Sequence, residues 1–185
     1  GGEPGAGLAD GGCGGAVDLS AGAGSHNIGM LPIYYINLDT DSQRRISMQT
    51  QFGQLGLQAQ RVPALRWSEL PQSEQNRLYS SVLNDRLFYR PMVDGEKGCY
   101  ASHLKVCERL LESDASGCVV LEDDVRLSPD FPMVVEAMGC LEDGWDVIKL
   151  HSRQVERTRM QLALCPGHAL VTYRRVPSWA TGYAI

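Results

Sequence analysis

Apolar positions along this chain fall into short runs and stripes whose spacing changes from one segment to the next. Residues 31–38 are β-branched and aromatic, the signature of a first strand. Thr40-Asp41-Ser42-Gln43 resembles a capping box, and Ile46, Met48, Phe52 and Leu55 form a helical stripe that stops at Gly56. A weaker strand is predicted over 57–62. A polar helix is predicted over 68–82, with Pro71 confined to its first turn. Tyr100, Leu104, Cys107 and Leu111 mark an amphipathic helix over 100–111. A strand at 118–121 follows, and Ser128-Pro129 supplies an N-cap and first position for a helix to about Cys140. Further strands are predicted at 145–150 and 168–173, and another begins at Gly182. Strand and helix alternating at this spacing predict an α/β domain with a mainly parallel central sheet. There is no internal repeat.

Composition sharpens the boundaries. Residues 1–29 hold 11 of the 20 glycines and few groups able to bury surface, so this segment is predicted to be a disordered Gly-rich tail. Met30, where the composition changes, is the expected natural start, and 30–185 the folded domain. At 43% hydrophobic and 21% charged, the chain has the balance of one globular domain. A formal net charge of -5 argues against a general nucleic-acid binder, which needs a basic surface. No apolar run reaches the roughly 18 residues of a spanning helix, and the first 30 residues lack a secretory signal pattern. The six cysteines form no C-x-x-C pair and no zinc spacing, so they are expected to be mostly free and buried. That usage favours a reducing, cytoplasmic location. Peripheral membrane association stays compatible with it, and the secretory lumen is not excluded.

The chemistry concentrates where Val119-Val120-Leu121 runs into Glu122-Asp123-Asp124. Three acids closing a buried strand are costly to bury unpaired, so they should emerge toward solvent or a cation. Mg²⁺ or Mn²⁺ prefers such oxygen ligands and commonly carries substrate phosphate too. Ligands of open α/β sheets bind outside the carboxyl ends of the strands. This rule brings Asn37-Leu38-Asp39, after the first strand, onto the same rim as the acids. Arg44 and Arg45 follow in the first helix, where they either reach a diphosphate or form an ordinary solvated helix face.

Three segments, taken together, resemble glycosyltransferase family 25, which includes bacterial lipooligosaccharide galactosyltransferases and collagen galactosyltransferases. They are Pro32-Ile33-Tyr34-Tyr35-Ile36-Asn37-Leu38-Asp39 with Arg44-Arg45, Gly95-Glu96-Lys97-Gly98-Cys99-Tyr100-Ala101-Ser102-His103-Leu104, and Val120-Leu121-Glu122-Asp123-Asp124-Val125. Lys97 and Ala101 depart from the usual apolar residue and Leu. The family pattern also continues past Gly182-Tyr183-Ala184-Ile185, which implies a C-terminally incomplete catalytic domain. The resemblance implies the GT-A nucleotide-sugar-binding fold and transfer of a sugar, galactose first, from a UDP-sugar donor to a glycan or protein-linked acceptor. It also implies Mn²⁺ or Mg²⁺ held by the triplet in the manner of a D-x-D motif. On that reading Asp124 binds the metal most directly with Glu122 assisting, the two pointing the same way on an extended segment. Asp123 would lie nearer the ribose or support the site from behind the metal-binding pair.

Donor contacts are expected from Asn37, Leu38, Asp39, Arg44 and Arg45. In the second segment Gly95 and Gly98 allow close approach to a helix beginning near Cys99, whose free N–H groups would meet an anion. Ser102 and His103 would donate to the sugar, and Glu96 would face the cleft from a loop. The alternative is a helix start with Tyr100 in the core and His103 a satisfied side chain. His151 is a secondary candidate, and Trp67, Trp145 and Trp179 read as packing residues. Of the nearby acids Asp143 and Asp146, neither has a motif, and no catalytic base is named. Two other readings compete: a Mg²⁺-dependent signalling receiver domain, and a non-catalytic fragment of a glycosyltransferase.

Overall fold

The computed structural model describes residues 30–141, 144–152, 156–177 and 179–185; the Gly-rich tail and Asp143 lie outside them. Among the described residues five strands make the central sheet: β1 (Ile33–Asn37), β2 (Gln60–Pro63), β3 (Val119–Glu122), β4 (Ile148–Lys149) and a further strand Gly182–Ala184. Between β4 and that further strand comes a separate antiparallel hairpin of β5 (Thr158–Cys165) and β6 (His168–Tyr173), so Gly182–Ala184 is β7. The sheet order is β2-β1-β3-β7-β4. β1 pairs in parallel with β2 and β3, whereas β7 is antiparallel to both β3 and β4. Four of the five strands therefore share one direction, as the mainly parallel expectation requires.

Alternation along the strands sorts the core into two layers, because successive side chains point to opposite faces. Ile33, Tyr35, Val119 and Leu121 pack on one face against Met48 and Phe52 of α1 (Ser42–Gln54) and Phe131, Val135 and Met138 of α5 (Phe131–Gly139). Tyr34, Ile36, Val62, Val120 and Tyr183 pack on the other face against Val106 of α4 (Asp94–Leu111). Helices on both faces bury β1 throughout and β3 up to Glu122, which explains why these two strands read as apolar runs.

Several boundaries differ from expectation for identifiable reasons. The cap of α1 is Asp41, whose carboxylate accepts from the Arg44 N–H at 3.1 Å, and the helix gives way at Gly56 with φ 65°. The polar helix expected at 68–82 is broken into a 3-10 turn (Trp67–Glu69), α2 (Gln72–Leu78) and α3 (Ser81–Leu87), with Ser80 capping α3. Pro71 precedes α2 rather than sitting in its first turn. α4 begins six residues before the apolar stripe, so Gly95, Glu96 and Gly98 are helical. The helix after Ser128-Pro129 starts at Phe131 with Asp130 as cap and Pro132 in its first turn. The strand expected over 145–150 is only β4, and β5 carried no clear signal. Among the described residues five cysteines are free, and Cys118 is the buried one; Cys99 and Cys140 are exposed. Among the same residues no helix is long and apolar enough to cross a membrane.

Candidate functional site

A cleft of about 410 Å³ opens at the carboxyl ends of β1 and β3. Its floor is Ile36, Asn37 and Leu38, its far side Glu122, Asp123 and Asp124, and its walls the 64–68 segment and the first turns of α4. The rim rule thus brings together Asn37, Leu38, Arg44, Ser102, His103 and the acidic triplet. Asp39, Arg45 and Glu96 are not among the lining residues.

The wall nearest β1 is a closed polar network. The buried amide of Asn37 donates to Asp123 Oδ2 at 2.7 Å and to the Asp41 carbonyl at 3.0 Å. Its carbonyl oxygen accepts from Arg61 Nε at 3.0 Å. Arg61 also donates to the Asn37 main-chain carbonyl at 3.1 Å and pairs with Asp39. That hydrogen bond and the charge beside it hold the Asp39 carboxyl below the usual range. Arg44 Nη1 donates to Asp123 Oδ1 at 3.0 Å, which further raises the affinity of the guanidinium for its proton. Asn37 and Asp123 therefore brace the rim while both line the cleft. Arg61, which organises this wall, was missed by sequence reasoning. Its one available signal was an arginine beside the buried Val62 of β2.

Three further expectations are corrected on the α4 side. Glu96 is the third residue of the helix: it accepts from the Val93 N–H at 3.0 Å and forms a two-oxygen ion pair with Arg90. Arg90 and then the Val93 amide hold its carboxyl down to about 2. The Ser102 hydroxyl is buried, donating to the Gly98 carbonyl at 2.7 Å and accepting from the Leu65 N–H at 2.8 Å, which leaves it no proton for a sugar. The helix starts at Asp94, so no free N–H groups gather at Cys99. Gly98 does permit close approach, since a Cβ there would lie 2.7 Å from the Leu65 carbonyl oxygen, whereas a Cβ at Gly95 would meet open space. Lys97 buries its stem and sets its ammonium over the rings of Trp67 and Tyr79, at 5.6 and 4.7 Å from their centroids.

Among the acids, β3 ends at Glu122 and Asp123-Asp124 form a turn, so the extended segment expected through Asp124 stops short. Glu122 and Asp124 still share a position: both line the cleft and an adjoining hollow of about 640 Å³ that also holds His151, Trp179 and Thr181. The exposed Asp124 projects at the boundary between the two. Glu122 sits lower, against α4. His103 Nε2 lies 3.5 Å from Glu122 Oε1, and His103 Nδ1 lies 2.9 Å from the Tyr183 hydroxyl. Cys99 Sγ is 3.5 Å from the same Glu122 oxygen; partial loss of water around the sulfur, with that carboxylate beside it, pushes the thiol up to about 11. Arg66 joins Arg44 at the cleft, its guanidinium held by the Thr40 hydroxyl at 2.6 Å. Trp67 is buried and contributes an apolar wall.

Comparison with known proteins agrees with this geometry. The family model described as glycosyltransferase family 25 (LPS biosynthesis protein) matches residues 30–170. A glycosyltransferase 25 family member of Anopheles gambiae is 30% identical over 164 residues, covering 83% of this chain and 26% of that protein. Human procollagen galactosyltransferase 2 is 25% identical over 165 residues, 85% of this chain and 26% of its own length. The mouse protein named inactive glycosyltransferase 25 family member 3 is 29% identical over 137 residues, 69% of this chain and 23% of its own length. The chain spans about a quarter of the length of these relatives.

Proposed function

The chain belongs to glycosyltransferase family 25, and from that premise we propose that its cleft binds the nucleotide-sugar donor, UDP-galactose first, for transfer to a glycan or protein-linked acceptor. The domain over 30–185 is then part of a GT-A-like unit. The observation that carries this reading is the placement of the acidic triplet beside Asn37-Leu38 at the carboxyl ends of β1 and β3, opening onto one cleft. An antiparallel β7 beside β3 and the family match together set aside the receiver-domain reading.

The donor set suits a hard cation. Asp123 is taken by Asn37 and Arg44, so Glu122 and Asp124 are the carboxylates that would hold Mn²⁺ or Mg²⁺. Such an ion would supply charge neutralisation for the departing diphosphate. The chain's own contribution is positional. Arg44 and Arg66 offer guanidinium groups to phosphate oxygens, while Leu38 and Trp67 form apolar surface against which a base can lie. The unpaired cysteines support a companion proposal of a cytoplasmic, membrane-peripheral location. The decisive measurement is melting of the 185-residue protein with UDP, in the presence of Mn²⁺ and of chelator. At about 100 times the dissociation constant, binding should contribute roughly 2.7 kcal/mol and raise Tm by about 5–10 °C with metal only. The same shift with chelator would remove the metal-assisted reading.

A second reading, donor binding without turnover, is favoured by the relative named inactive and by the polar groups already consumed within the rim. Release of UDP from UDP-galactose, followed alongside the melting experiment, separates the two.

A further inference from the structure

Glu122 Oε1 is the meeting point of two side chains of α4. Cys99 and His103 are four residues apart on α4, which places them on one helix face. That face packs over the end of β3, so Cys99 Sγ and His103 Nε2 each approach Oε1 to 3.5 Å. One ligand atom from each of the three residues lies within 4.8 Å of both others. Around a tetrahedral zinc ion, with bonds of about 2.3 Å to sulfur and about 2.0 Å to nitrogen and oxygen, a sulfur–oxygen edge is about 3.5 Å and a nitrogen–oxygen edge about 3.3 Å. The observed sulfur–oxygen and nitrogen–oxygen separations are close to these two edges, and the second is longer than a hydrogen bond from histidine to carboxylate.

The state of His103 supplies an independent observation. Its Nε2 is buried with no hydrogen-bond partner among the described residues, and its side chain is 12% exposed. A buried ring nitrogen without a partner is costly to retain. Its other nitrogen, Nδ1, meets the Tyr183 hydroxyl at 2.9 Å, and the two rings stack with centroids 5.6 Å apart. With Nδ1–H donating to the tyrosine oxygen, Nε2 carries the lone pair that faces Glu122. A ligating histidine is typically oriented by its second nitrogen in this way.

The geometry points to a binding site for a zinc-class divalent cation formed by Cys99, His103 and Glu122, with its fourth position open to the cleft. Thiolate and imidazole select such an ion over Mg²⁺ or Mn²⁺, which take oxygen ligands. Binding exchanges the Cys99 sulfur–hydrogen bond for a sulfur–metal bond and releases the proton to solvent. Because Glu122 belongs to this trio and to the pair proposed for the hard cation, occupancy here would draw it away from Asp124.

Cobalt(II) is the probe, because thiolate ligation gives an intense near-ultraviolet charge-transfer band that carboxylate and imidazole alone do not. Titration of the full chain with Co²⁺ alone should produce this band at one equivalent, and added Zn²⁺ should abolish it. Cys99→Ser and His103→Gln should each lower Co²⁺ affinity at least tenfold while Cys140→Ser leaves it unchanged, circular dichroism confirming the fold. Without any variant, Zn²⁺ should slow iodoacetamide labelling of Cys99, read by peptide mass, and leave Cys140 labelling unaffected. No charge-transfer band, a band that survives Cys99→Ser, or Cys99 labelling indifferent to Zn²⁺ would each overturn the site. None of these readouts involves UDP or sugar transfer, so they stand or fall separately from the donor proposal.

Discussion

The two sides of the cleft handle their polar groups in opposite ways. On the β1 side, Asn37, Asp123, Arg44, Arg61 and Asp39 are joined by hydrogen bonds, the side-chain members other than the Asp39 pair spanning 2.7–3.0 Å. On the α4 side, Cys99 Sγ and His103 Nε2 both approach Glu122 Oε1 to 3.5 Å, longer contacts than those of the β1 side. Buried polar groups that satisfy one another rigidify a scaffold. The invariance of chemistry along a sequence motif thus hides a division of labour: Asp123 and Asp124 are neighbours, but one braces the rim and the other faces the open space.

The sharpest way to break this contrast is to remove the centre of the closed network. Asn37→Leu leaves Asp123 and Arg61 without their amide partner and should destabilise the fold by about 3 kcal/mol. Chemical denaturation measures it, and a loss under about 1 kcal/mol would mean that the rim groups do not depend on one another. Next in size is Gly98→Ala. The new methyl must displace the Leu65 carbonyl, while better helix propensity returns about 1 kcal/mol, for a net loss of about 1–2 kcal/mol. An unchanged or raised midpoint would show that the 64–68 segment yields freely and does not fix the α4 wall.

Asp124→Asn should move stability by less than about 0.5 kcal/mol, since the residue is exposed, while erasing the metal dependence of UDP stabilisation. A large drop in the ligand-free melting temperature would place Asp124 with the bracing groups instead. The smallest effect expected concerns pH. The Glu96 carboxyl is depressed to about 2, so the stability it contributes is present above its unfolded value near 4.5 and is lost as pH falls through about 2. Wild type and Glu96→Gln should therefore differ in melting temperature at pH 6 and converge near pH 2. A constant gap across that window would show that the Arg90 pair is not the source.

The same contrast marks what was readable from residues alone. β1 and α1 were legible because alternation is replaced there by a continuous apolar run and a capped helical stripe. The acidic rim was legible because carboxylates following buried valines have few other places to go. What failed was pairing at a distance. Arg61 lies 24 residues from Asn37 and Asp123 lies 86, and no local pattern declares those bonds. The start of α4 was hidden by Gly95 and Gly98, which suggest a loop until the close approach of Leu65 explains the second of them. Glu96 looked cleft-facing for the same reason, its true partner Arg90 standing just before the helix. β5 was missed because its exposed positions lack the apolar contrast that marks a buried strand.

β7 has a consequence for the order in which the molecule can be assembled. It lies between β3 and β4, both of which precede it in the chain, so during synthesis two strands must wait for the one that joins them. Val119 pairs with Ala184, a closure across 65 residues, and pairings this remote form slowly. Until then β3 presents an unpaired edge through Cys118 and Val119, which makes the nascent chain prone to mispairing and in need of shielding. Thr181 bonds the Glu122 amide at 2.9 Å and Tyr183 meets His103, so the acid and the histidine of the cleft acquire their positions only with this docking. Ligand competence at this cleft therefore waits on β7, and the emergence of metal or nucleotide binding during refolding reports directly on its docking.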